Sequence, residues 1–205
     1  MEKTILIFNR FADKGKLKNT LEEIQQCLIQ SGIKTESVLT EHIGHAIDLA
    51  EMAVREGFEK ILVAGGDGTV NEAVNGLINA QKKGYGSASL GVIPNGRGND
   101  FGYAMKIPVG LQHAVDVIKA DNRIRIDVGS AGDGSFERYF CNGSGFGIDS
   151  AINHYAAASS LNGFPSYLMG LVKAICFDLR QPMAKITWDD GACEMPILLL
   201  TAMNG

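Results

Sequence analysis

A glycine-rich turn that carries one carboxylate lies between an apolar run and a helical pattern. Residues 61–77 read ILVAGGDGTVNEAVNGL, which predicts a buried strand, a tight turn and then a helix. Gly65, Gly66 and Gly68 lack Cβ atoms, so their backbone amides can approach an anion closely. The unpaired amides and positive dipole end of the following helix also favour a negatively charged group. The turn is therefore predicted to bind phosphate.

Asp67 is the residue in this turn that phosphate binding alone does not explain. A fixed negative charge beside a phosphate is repulsive unless a cation lies between them, so Asp67 is a magnesium ligand or a general base. The alternative is a structural turn in which Asp67 accepts hydrogen bonds from nearby amides. Thr69 and Glu72 have the spacing of a capping box, which predicts that Thr69 caps the helix.

A second predicted strand also ends in a glycine turn that bears a carboxylate. Residues 94–101 read PNGRGNDF, in which Asp100 is the carboxylate and Arg97 could supply a cation to a phosphate. The alternative is a solvated loop in which Asn99 or Asp100 caps the next helix. Because ligands bind at the carboxyl ends of parallel strands, we expect Asp67 and Asp100 to lie around one crevice.

Asp127 is a third carboxylate for which we expect a partner. Residues 123–130 read RIRIDVGS and alternate as a strand does, which places Asp127 on an apolar strand. Burying an unpaired carboxylate there is costly, so we expect a cation or a hydrogen-bond donor beside it.

Alternating strands and helices position these turns in the first part of the chain. Short apolar runs predict strands, and apolar residues at three- and four-residue spacing predict helices between them. This order predicts an α/β fold with right-handed crossovers and a parallel sheet. The predicted strands are 4–9, 34–40, 60–64 and 90–93, and the predicted helices are 17–29, 43–56, 70–80 and 109–120.

The pattern changes near Asp127, where we place the boundary between domains 1–127 and 128–205. Hairpin signals predict a β-rich second domain with a pair of inserted helices. We interpret the glycines of residues 142–147, at the end of a strand, as sites of close backbone packing. Residues 164–179 are predicted to form an amphipathic helix of the core, with docking on a membrane surface as the alternative. The predicted strands of this part are 123–130, 136–142, 184–188 and 193–203.

Composition and charge exclude several classes of protein. The chain has 205 residues, of which 45% are hydrophobic and 20% charged, as in globular proteins with a core. Its net charge of −4, without any stretch dense in Lys or Arg, argues against nucleic-acid binding. Residues 150–172 contain no Asp, Glu, Lys or Arg, which raises the question of a membrane span. Polar and helix-breaking residues interrupt the segment, so we expect none. The amino terminus has no signal-peptide pattern, and we expect reduced thiols in a cytoplasmic protein from the scattered Cys27, Cys141, Cys176 and Cys193.

The two glycine turns resemble those of the bacterial diacylglycerol kinase-like lipid kinases, which are related to sphingosine kinases and, distantly, to NAD kinases. Residues 65–72, GGDGTVNE, match the family's GGDGT-x-N-E signature in full. Residues 93–101 resemble its P-x-G-T-x-N-D-F loop, with Arg97 where threonine is usual. Residues 9–16 look like its N-P-x-S-G-K phosphate loop, with Arg10 in place of the proline.

The resemblance implies a fold and an activity. The fold is an N-terminal doubly wound, mostly parallel sheet followed by an incomplete β-rich second domain with inserted helices. Residues 141–150 resemble the segment that opens this second domain in the family. The activity is transfer of the γ-phosphoryl group of ATP to the hydroxyl of diacylglycerol or a similar lipid, with ATP and Mg²⁺ as cofactors. The implied location is the cytoplasm, peripheral to the membrane and in transient contact with its surface, as a monomer or a homo-oligomer.

The resemblance also assigns site residues. Asp67 is expected to be catalytic, and Asp67, Asp100 and Asp127 fall where the family holds magnesium. We expect the family's general base in a segment beyond Gly205, so the chain is expected to be truncated. An NAD kinase and an inactive nucleotide-binding fragment remain as alternatives. The positions that match nucleotide-binding residues of the family are Asn9, Arg10, Thr40, Gly65, Gly66, Asp67, Gly68, Thr69, Val70, Asn71, Glu72, Gly96, Arg97 and Asn99.

Overall fold

The computed structural model of the protein describes residues 2–12, 17–159, 161 and 164–204. Contacts divide the chain into two units, one of residues 1–142 with 204–205 and one of residues 143–203. All of the residues predicted to bind nucleotide or metal belong to the first unit.

A four-stranded parallel sheet forms the centre of the first unit. Its strands lie in the order β2, β1, β3, β4, and every neighbouring pair is parallel. Strand β1 is buried along its whole length, which explains its continuous apolar run. The predicted parallel α/β sheet is therefore confirmed. The strands are β1 (Thr4–Phe8), β2 (Glu36–Leu39), β3 (Lys60–Gly65) and β4 (Ser89–Pro94).

Helices cover both faces of this sheet. Successive residues of β1 point to opposite faces, so Ile5 and Ile7 join one apolar cluster while Leu6 and Phe8 join the other. The first cluster includes residues of α2 and α3, and the second includes residues of α1 and α5. The sheet is therefore doubly wound, as expected. The helices of this unit are α1 (Leu21–Gln30), α2 (His45–Arg55), α3 (Asp67–Lys82), α4 (Asp100–Ala104) and α5 (Leu111–Ala120).

Helices α2 and α3 approach closely at a glycine. A Cβ atom added to Gly76 would lie 2.3 Å from the carbonyl oxygen of Ile47 and 2.8 Å from the Cβ of Ala50. No side chain fits at this position without moving backbone, which explains a glycine in the middle of a helix.

The strand predicted over residues 123–130 is wrong for most of its length. The regular strand β5 (Gly129–Gly132) begins late, and residues 123–128 have no regular structure. Strand β4 pairs with β3, and among the described residues no second strand pairs with β4. Alternation alone therefore did not produce a strand, because a strand also needs a hydrogen-bonding partner.

A short hairpin extends the first unit beyond the boundary predicted near Asp127. Strand β5 pairs with β6 (Glu137–Phe140), and this hairpin packs on α3. The side chain of Asn75 donates to the carbonyl of Tyr139 at 2.9 Å and accepts from its amide at 2.9 Å. This pairing explains why contacts divide the chain after residue 142. The division into separately folding domains of residues 1–127 and 128–205 stays a prediction.

Two antiparallel strand pairs and two helices make up the second unit. Strand β10 pairs with β7, and β8 pairs with β9. The prediction of a single strand over residues 193–203 is therefore wrong, because β9 ends at Pro196 and β10 pairs with β7. The elements are β7 (Gly143–Gly147), α6 (Ile148–Ala158), α7 (Phe164–Asp178), β8 (Met183–Trp188), β9 (Gly191–Pro196) and β10 (Leu199–Met203).

The glycines of β7 serve close packing, as predicted. A Cβ atom at Gly145 would lie 2.1 Å from a carboxylate oxygen of Asp149. Gly147 has a φ of 101°, and a Cβ atom there would lie 2.4 Å from the carbonyl oxygen of Leu198. The segment is a strand in its own right and leads directly into α6.

Helix α7 packs on α6 through small residues. Ser166 donates to the carbonyl of Ala156 at 2.7 Å, and Gly170 lies against the backbone of Ile152. Its buried residues are Ser166, Gly170 and Ala174, so the interpretation as a core helix is wrong for this chain. Within the described ranges, no helix has both the length and the apolar character that crossing a membrane requires.

Candidate active site

A cavity of about 640 Å³ lies where the loops follow the carboxyl ends of the sheet strands. It collects residues from the loops after β1 and β2 and from the turns after β3 and β4, as expected for a parallel sheet. Arg10, Gly65, Val70, Asn71 and Asn99 do not line it. The predicted site residues that line it are Asn9, Thr40, Gly66, Asp67, Gly68, Thr69, Glu72, Gly96 and Arg97.

The two glycine turns touch each other beside this cavity. A Cβ atom on Gly96 would lie 2.4 Å from the Cα of Gly66, and the amide of Asn95 donates to the carbonyl of Gly65 at 2.9 Å. A Cβ atom on Gly65 would lie 2.6 Å from the hydroxyl of Thr69. Packing therefore requires glycine at positions 65 and 96, while a Cβ atom on Gly66 would be tight, 3.3 Å from the Cα of Gly96.

Gly68 differs from the other glycines of the turn. A Cβ atom there would meet no atom within 4 Å, and its φ lies outside the left-handed region. It is exposed and is the second residue of α3. Neither packing nor backbone conformation in this chain requires a glycine at this position.

Asn99 shapes the second turn through its own side chain. Its carboxamide oxygen accepts from the amide of Gly96 at 2.9 Å, and its nitrogen donates to the carbonyl of Gly96 at 2.8 Å. Asn99 has a φ of 59°, a conformation that asparagine tolerates better than most residues. It precedes α4 without capping that helix through its side chain. Its position and bonds assign it to the structure of the loop.

The carboxylate of Asp67 bridges the two turns. Its Oδ1 atom accepts from the amide of Phe101 in the first turn of α4, at 2.9 Å. A Cβ atom on Gly98 would lie 3.1 Å from Oδ2 of Asp67 and 3.6 Å from each carboxylate oxygen of Asp100. Asp67 and Asp100 therefore both lie near Gly98, but of the two only Asp67 lines the cavity, so a crevice shared by both stays a prediction.

Asp127 is an exposed residue on the irregular segment before β5. Its carbonyl oxygen accepts a hydrogen bond from the side chain of Asn204. The argument that burial would make Asp127 need a cation is wrong, because an exposed carboxylate keeps its hydration. Among the described residues, no group of three His, Cys, Asp or Glu side chains is arranged to hold a metal. The assignment of Asp127 to a magnesium set stays a prediction.

The capping box predicted for α3 is also wrong. Helix α3 begins at Asp67, with Gly66 as its N-cap and no side-chain cap. Thr69 is buried, and its hydroxyl accepts from the side chain of Asn9 at 2.8 Å. Because the helix starts earlier than predicted, Thr69 lies inside its first turn. The amino terminus of α3 is left without a side-chain cap beside the cavity.

Glu72 caps a different helix from the one predicted. Its carboxylate accepts from the amide of Gly44 at 2.9 Å and from that of Ala46 at 3.3 Å, at the start of α2. A carboxylate at a helix amino terminus also interacts favourably with the helix dipole. Glu72 therefore fixes the position of α2 relative to α3.

The general base that the resemblance implies stays a prediction. The resemblance assigns it to a segment beyond Gly205, and Gly205 itself lies outside the described residues. Glu72 is a carboxylate that lines the cavity, but each of its two oxygens already accepts a hydrogen bond from an amide of α2 or its cap. Glu72 is therefore engaged in structure and is not poised to accept a proton from a substrate.

Asn9 connects the end of β1 to the rest of the site. Its side chain donates to Thr69 and accepts from the amide of Phe11 at 2.9 Å. Thr40 is buried beside it at the end of β2, where its amide donates to the carbonyl of Phe8 at 3.0 Å. Arg10 is exposed, and residues 13–16 of the predicted phosphate loop lie outside the described residues.

Sequence reasoning missed Asn95, which holds the loop before α1. The residue is fully buried, and its carboxamide accepts from the amide of Asn19 at 2.8 Å and donates to the carbonyl of Asn19 at 2.9 Å. Asparagine in a Pro-Asn-Gly sequence is typical of a solvated turn, so no local signal indicated a buried partner.

Cys141 is excluded as a nucleophile of this site. Burial raises the pKa of its thiol, and the negative charge of Asp67 raises it further. The thiol lies near the side chain of Asn71, with its sulfur 3.8 Å from the carboxamide oxygen. A thiol in this environment stays protonated and unreactive at neutral pH.

The chain resembles known proteins along its whole length. The family model described as the diacylglycerol kinase catalytic domain matches residues 3–131. A diacylglycerol kinase of Staphylococcus carnosus (strain TM300) is 34% identical over 159 residues, which are 78% of this chain and 49% of the relative. One of Staphylococcus saprophyticus is 31% identical over 202 residues, 95% of this chain and 61% of the relative. The chain thus spans about half to three fifths of the length of these relatives.

Two solved structures from Bacillus anthracis str. Sterne share the fold. One, a putative diacylglycerol kinase, superposes with a TM-score of 0.74 at 25% sequence identity, and the match covers 100% of this chain and 65% of the chain in that structure. A second, a diacylglycerol kinase, has a TM-score of 0.71 at 23% sequence identity, and the match covers 100% of this chain and 64% of the chain in that structure. With the match to the catalytic-domain model and the identity to the Staphylococcus enzymes, the chain belongs to the diacylglycerol kinase catalytic domain family.

Proposed function

We propose that the protein transfers the γ-phosphoryl group of ATP to the hydroxyl of diacylglycerol or a similar lipid. The observation that carries this proposal is the junction of the two glycine turns, where α3 begins at Asp67 without a side-chain cap and where the carboxylates of Asp67 and Asp100 both lie near Gly98. Such a junction provides both an anion-binding end and oxygen ligands for a cation. The names of the Staphylococcus relatives support diacylglycerol as the acceptor.

The first turn of α3 would hold the phosphates. The amides that begin a helix have no partner within the helix, and Gly66 offers them no side-chain oxygen. Gly68 leaves the space beside these amides free of a side chain. Arg97 lines the same cavity and would add positive charge, where the family usually has a threonine. The remaining predicted residues, Asn9 and Thr40, would line the rest of the nucleotide site.

The donors present fit a divalent cation bound together with phosphates. Mg²⁺ is usually held by one or two carboxylates, with waters and phosphate oxygens completing its shell. Asp67 uses Oδ1 for the amide of Phe101, and its Oδ2, like both carboxylate oxygens of Asp100, lies close to Gly98. When bound, the cation would neutralise charge that develops on the transferred group. Asp67 and Asp100 would orient the phosphates by holding it.

The acceptor implies contact with a membrane surface. A lipid hydroxyl lies at the interface between the bilayer and water, so we expect a cytoplasmic protein that associates peripherally and transiently. We also expect no nucleic-acid partner, because the chain is acidic overall. A homo-oligomer remains an expectation.

The test measures binding and transfer separately. ATP binding to the 205-residue chain is measured by calorimetry with Mg²⁺. Transfer from γ-labelled ATP to dioctanoylglycerol in mixed micelles, and to NAD, is measured with the full-length protein, which includes the segment where the resemblance places the general base. We expect labelled lipid, and Asp67→Asn should lower its formation at least about a hundredfold, because the carboxylate both positions α4 and holds the cation. Asp116→Asn, on the exposed face of α5, is the matched control and should leave the rate unchanged.

Each other result identifies an alternative. Labelled NADP without labelled lipid would show an NAD kinase. ATP binding that Asp67→Asn weakens, with neither acceptor labelled, would show a nucleotide-binding fragment. Failure of the wild-type chain to bind ATP would overturn the assignment of the cavity.

A further inference from the structure

The segment between β1 and α1 is attached to a different glycine turn at each end. At its start, the side chain of Asn9 donates to the hydroxyl of Thr69 at 2.8 Å, in the first turn of α3. At its end, the amide of Asn19 donates to the side chain of Asn95 at 2.8 Å, in the second glycine turn. Phe11 belongs to this segment and lines the cavity. The two attachments therefore bear on the shape of the cavity.

Asn95 holds the backbone of Asn19 with both ends of its carboxamide. Its oxygen accepts from the amide of Asn19, and its nitrogen donates to the carbonyl of Asn19 at 2.9 Å, although the two residues are 76 positions apart. The oxygen also accepts from the side chain of Asn19 at 3.3 Å. Asn95 is fully buried, so these bonds are shielded from water. Together they fix both the position and the orientation of Asn19.

The residues on either side of this pairing are themselves held in place. The amide of Asn95 donates to the carbonyl of Gly65 at 2.9 Å, which joins it to the first glycine turn, and the next residue, Gly96, lines the cavity. Asn19 precedes Thr20, which is the N-cap of α1 and forms a complete capping box. The pairing therefore joins the start of α1 to both glycine turns.

A buried asparagine contributes defined geometry more than it contributes stability. The net stabilisation from a buried hydrogen bond is small, whereas a partner left unpaired is costly. A fully bonded polar pair therefore selects one arrangement of the segments that it joins. Asn75 makes the same kind of pair with the backbone of Tyr139, and neither of these two residues lines the cavity. The pair made by Asn95 differs, because it holds the end of a segment that does line the cavity.

We propose that Asn95 is a positioning residue of the site. By holding Asn19 and the start of α1 on the second glycine turn, it keeps the loop after β1, with Phe11, ordered beside the start of α3 before a ligand binds. This inference rests on the proposed function, which puts the phosphates at the start of α3. A loop that is ordered in advance loses less conformational freedom on binding, so the affinity is higher. Asn95 does not line the cavity and acts through Asn19.

The test compares the two buried asparagines. Asn95→Ala and Asn75→Ala each remove a side chain that bonds to both the amide and the carbonyl of one distant residue. We expect both variants to lower the urea midpoint, because each leaves buried backbone groups unpaired. Calorimetry with Mg²⁺ then measures ATP binding to the 205-residue chain, at a temperature where both variants are folded. Only Asn95→Ala should weaken it, by about two- to tenfold.

Amide hydrogen exchange without any ligand provides a second measurement. The amide of Phe11 donates to the side chain of Asn9 at 2.9 Å, at the opposite end of the segment from Asn19. In Asn95→Ala we expect this amide to exchange faster, because the loop opens more often once its far end is released. In Asn75→Ala its exchange should match that of the wild type.

Two further variants complete the comparison. Asn19→Ala keeps both backbone bonds to Asn95, so it should change neither the exchange of the Phe11 amide nor the binding of ATP. Asn95→Ser has a side chain too short to hold both backbone groups of Asn19, and it should give the same pattern as Asn95→Ala. The serine variant takes the place of the alanine variant if the latter does not fold.

Three results would overturn the inference and leave the proposed function intact. The first is ATP binding that Asn95→Ala leaves unchanged. The second is an equal loss of ATP binding in Asn75→Ala, which would reflect a general loss of stability. The third is unchanged exchange of the Phe11 amide in Asn95→Ala, which would show that the loop does not depend on its far end. If the wild-type chain does not bind ATP, the proposed function fails first and the inference fails with it.

Discussion

A substitution at Gly68 can change ligand binding without disturbing the packing of the fold. Its position needs no glycine for packing, and alanine has a higher helix propensity by up to about 1 kcal/mol. We therefore predict that Gly68→Ala raises the free energy of unfolding or leaves it unchanged, while it weakens ATP binding because a methyl group stands where phosphate approaches the amides. Urea unfolding and calorimetry measure the two effects on the same sample.

Gly96→Ala is the matched control for this prediction. Its Cβ atom would lie 2.4 Å from the Cα of Gly66, so we expect the free energy of unfolding to fall by about 1–3 kcal/mol from overpacking. If Gly68→Ala also destabilised the chain, or bound ATP as tightly as the wild type, its glycine would have no role in ligand binding.

Local sequence was sufficient to predict the turn but not its hydrogen bonds. The glycines and Asp67 are adjacent in the chain, so their chemistry could be inferred from spacing alone. Thr69 instead bonds to a residue 60 positions away, and Glu72 to one 28 positions away. A capping box is the local solution for these two side chains, and the tertiary fold provided better partners.

Helix α3 illustrates how packing outweighs propensity. Gly76→Ala should favour an isolated helix by up to about 1 kcal/mol, yet its Cβ atom would lie 2.3 Å from the carbonyl oxygen of Ile47. We predict a net loss of about 1–3 kcal/mol in the free energy of unfolding, because the backbones of α2 and α3 must separate. Urea unfolding measures it, and a gain in stability would show that the two helices can move apart easily.

The elements of the first unit could be predicted because each helix and strand carries its own periodicity. Strands β1 and β3 are buried on both faces, and continuous apolar runs indicate that environment. Residues 123–128 alternate as a strand should, but alternation describes only one face of a segment and not its hydrogen-bonding partners. The division of residues 193–203 between two sheets had one local signal that the prediction did not use, Pro196 at the end of β9.

A network of four charges at the amino-terminal side of β3 links distant parts of the first unit. Lys60 pairs with Glu2 at 3.0 Å and with Asp121 at 2.6 Å, and Arg123 pairs with the same two carboxylates. Hydrogen bonds from Arg123 and then Lys60 lower the pKa of Asp121 from 3.8 to about 2. Because the pKa is lowered in the folded state, the stabilisation is fully present above about pH 4 and is lost as pH falls towards about 2.

We predict that this network gives the protein part of its acid sensitivity. Asp121→Asn should lower the urea midpoint at about pH 6, and the difference from the wild type should shrink as the pH is lowered to about 2.5. Asp116→Asn is the control, since the carboxylate of Asp116 accepts from Gln112 and not from a cation. A midpoint difference that stays constant with pH would show that the charge of Asp121 contributes nothing.

The contact between Gly66 and Gly96 couples substitutions in two distant stretches of the sequence. The two residues belong to turns after different strands, but Gly96 cannot gain a side chain while Gly66 stays in place, and a Cβ atom on Gly66 would lie only 3.3 Å from the Cα of Gly96. A substitution at one of these glycines is therefore tolerated only if the backbone of the other turn rearranges as well. Directed evolution of this protein towards a new ligand should consequently proceed through Arg97 and the loops after β1 and β2, and leave this pair untouched.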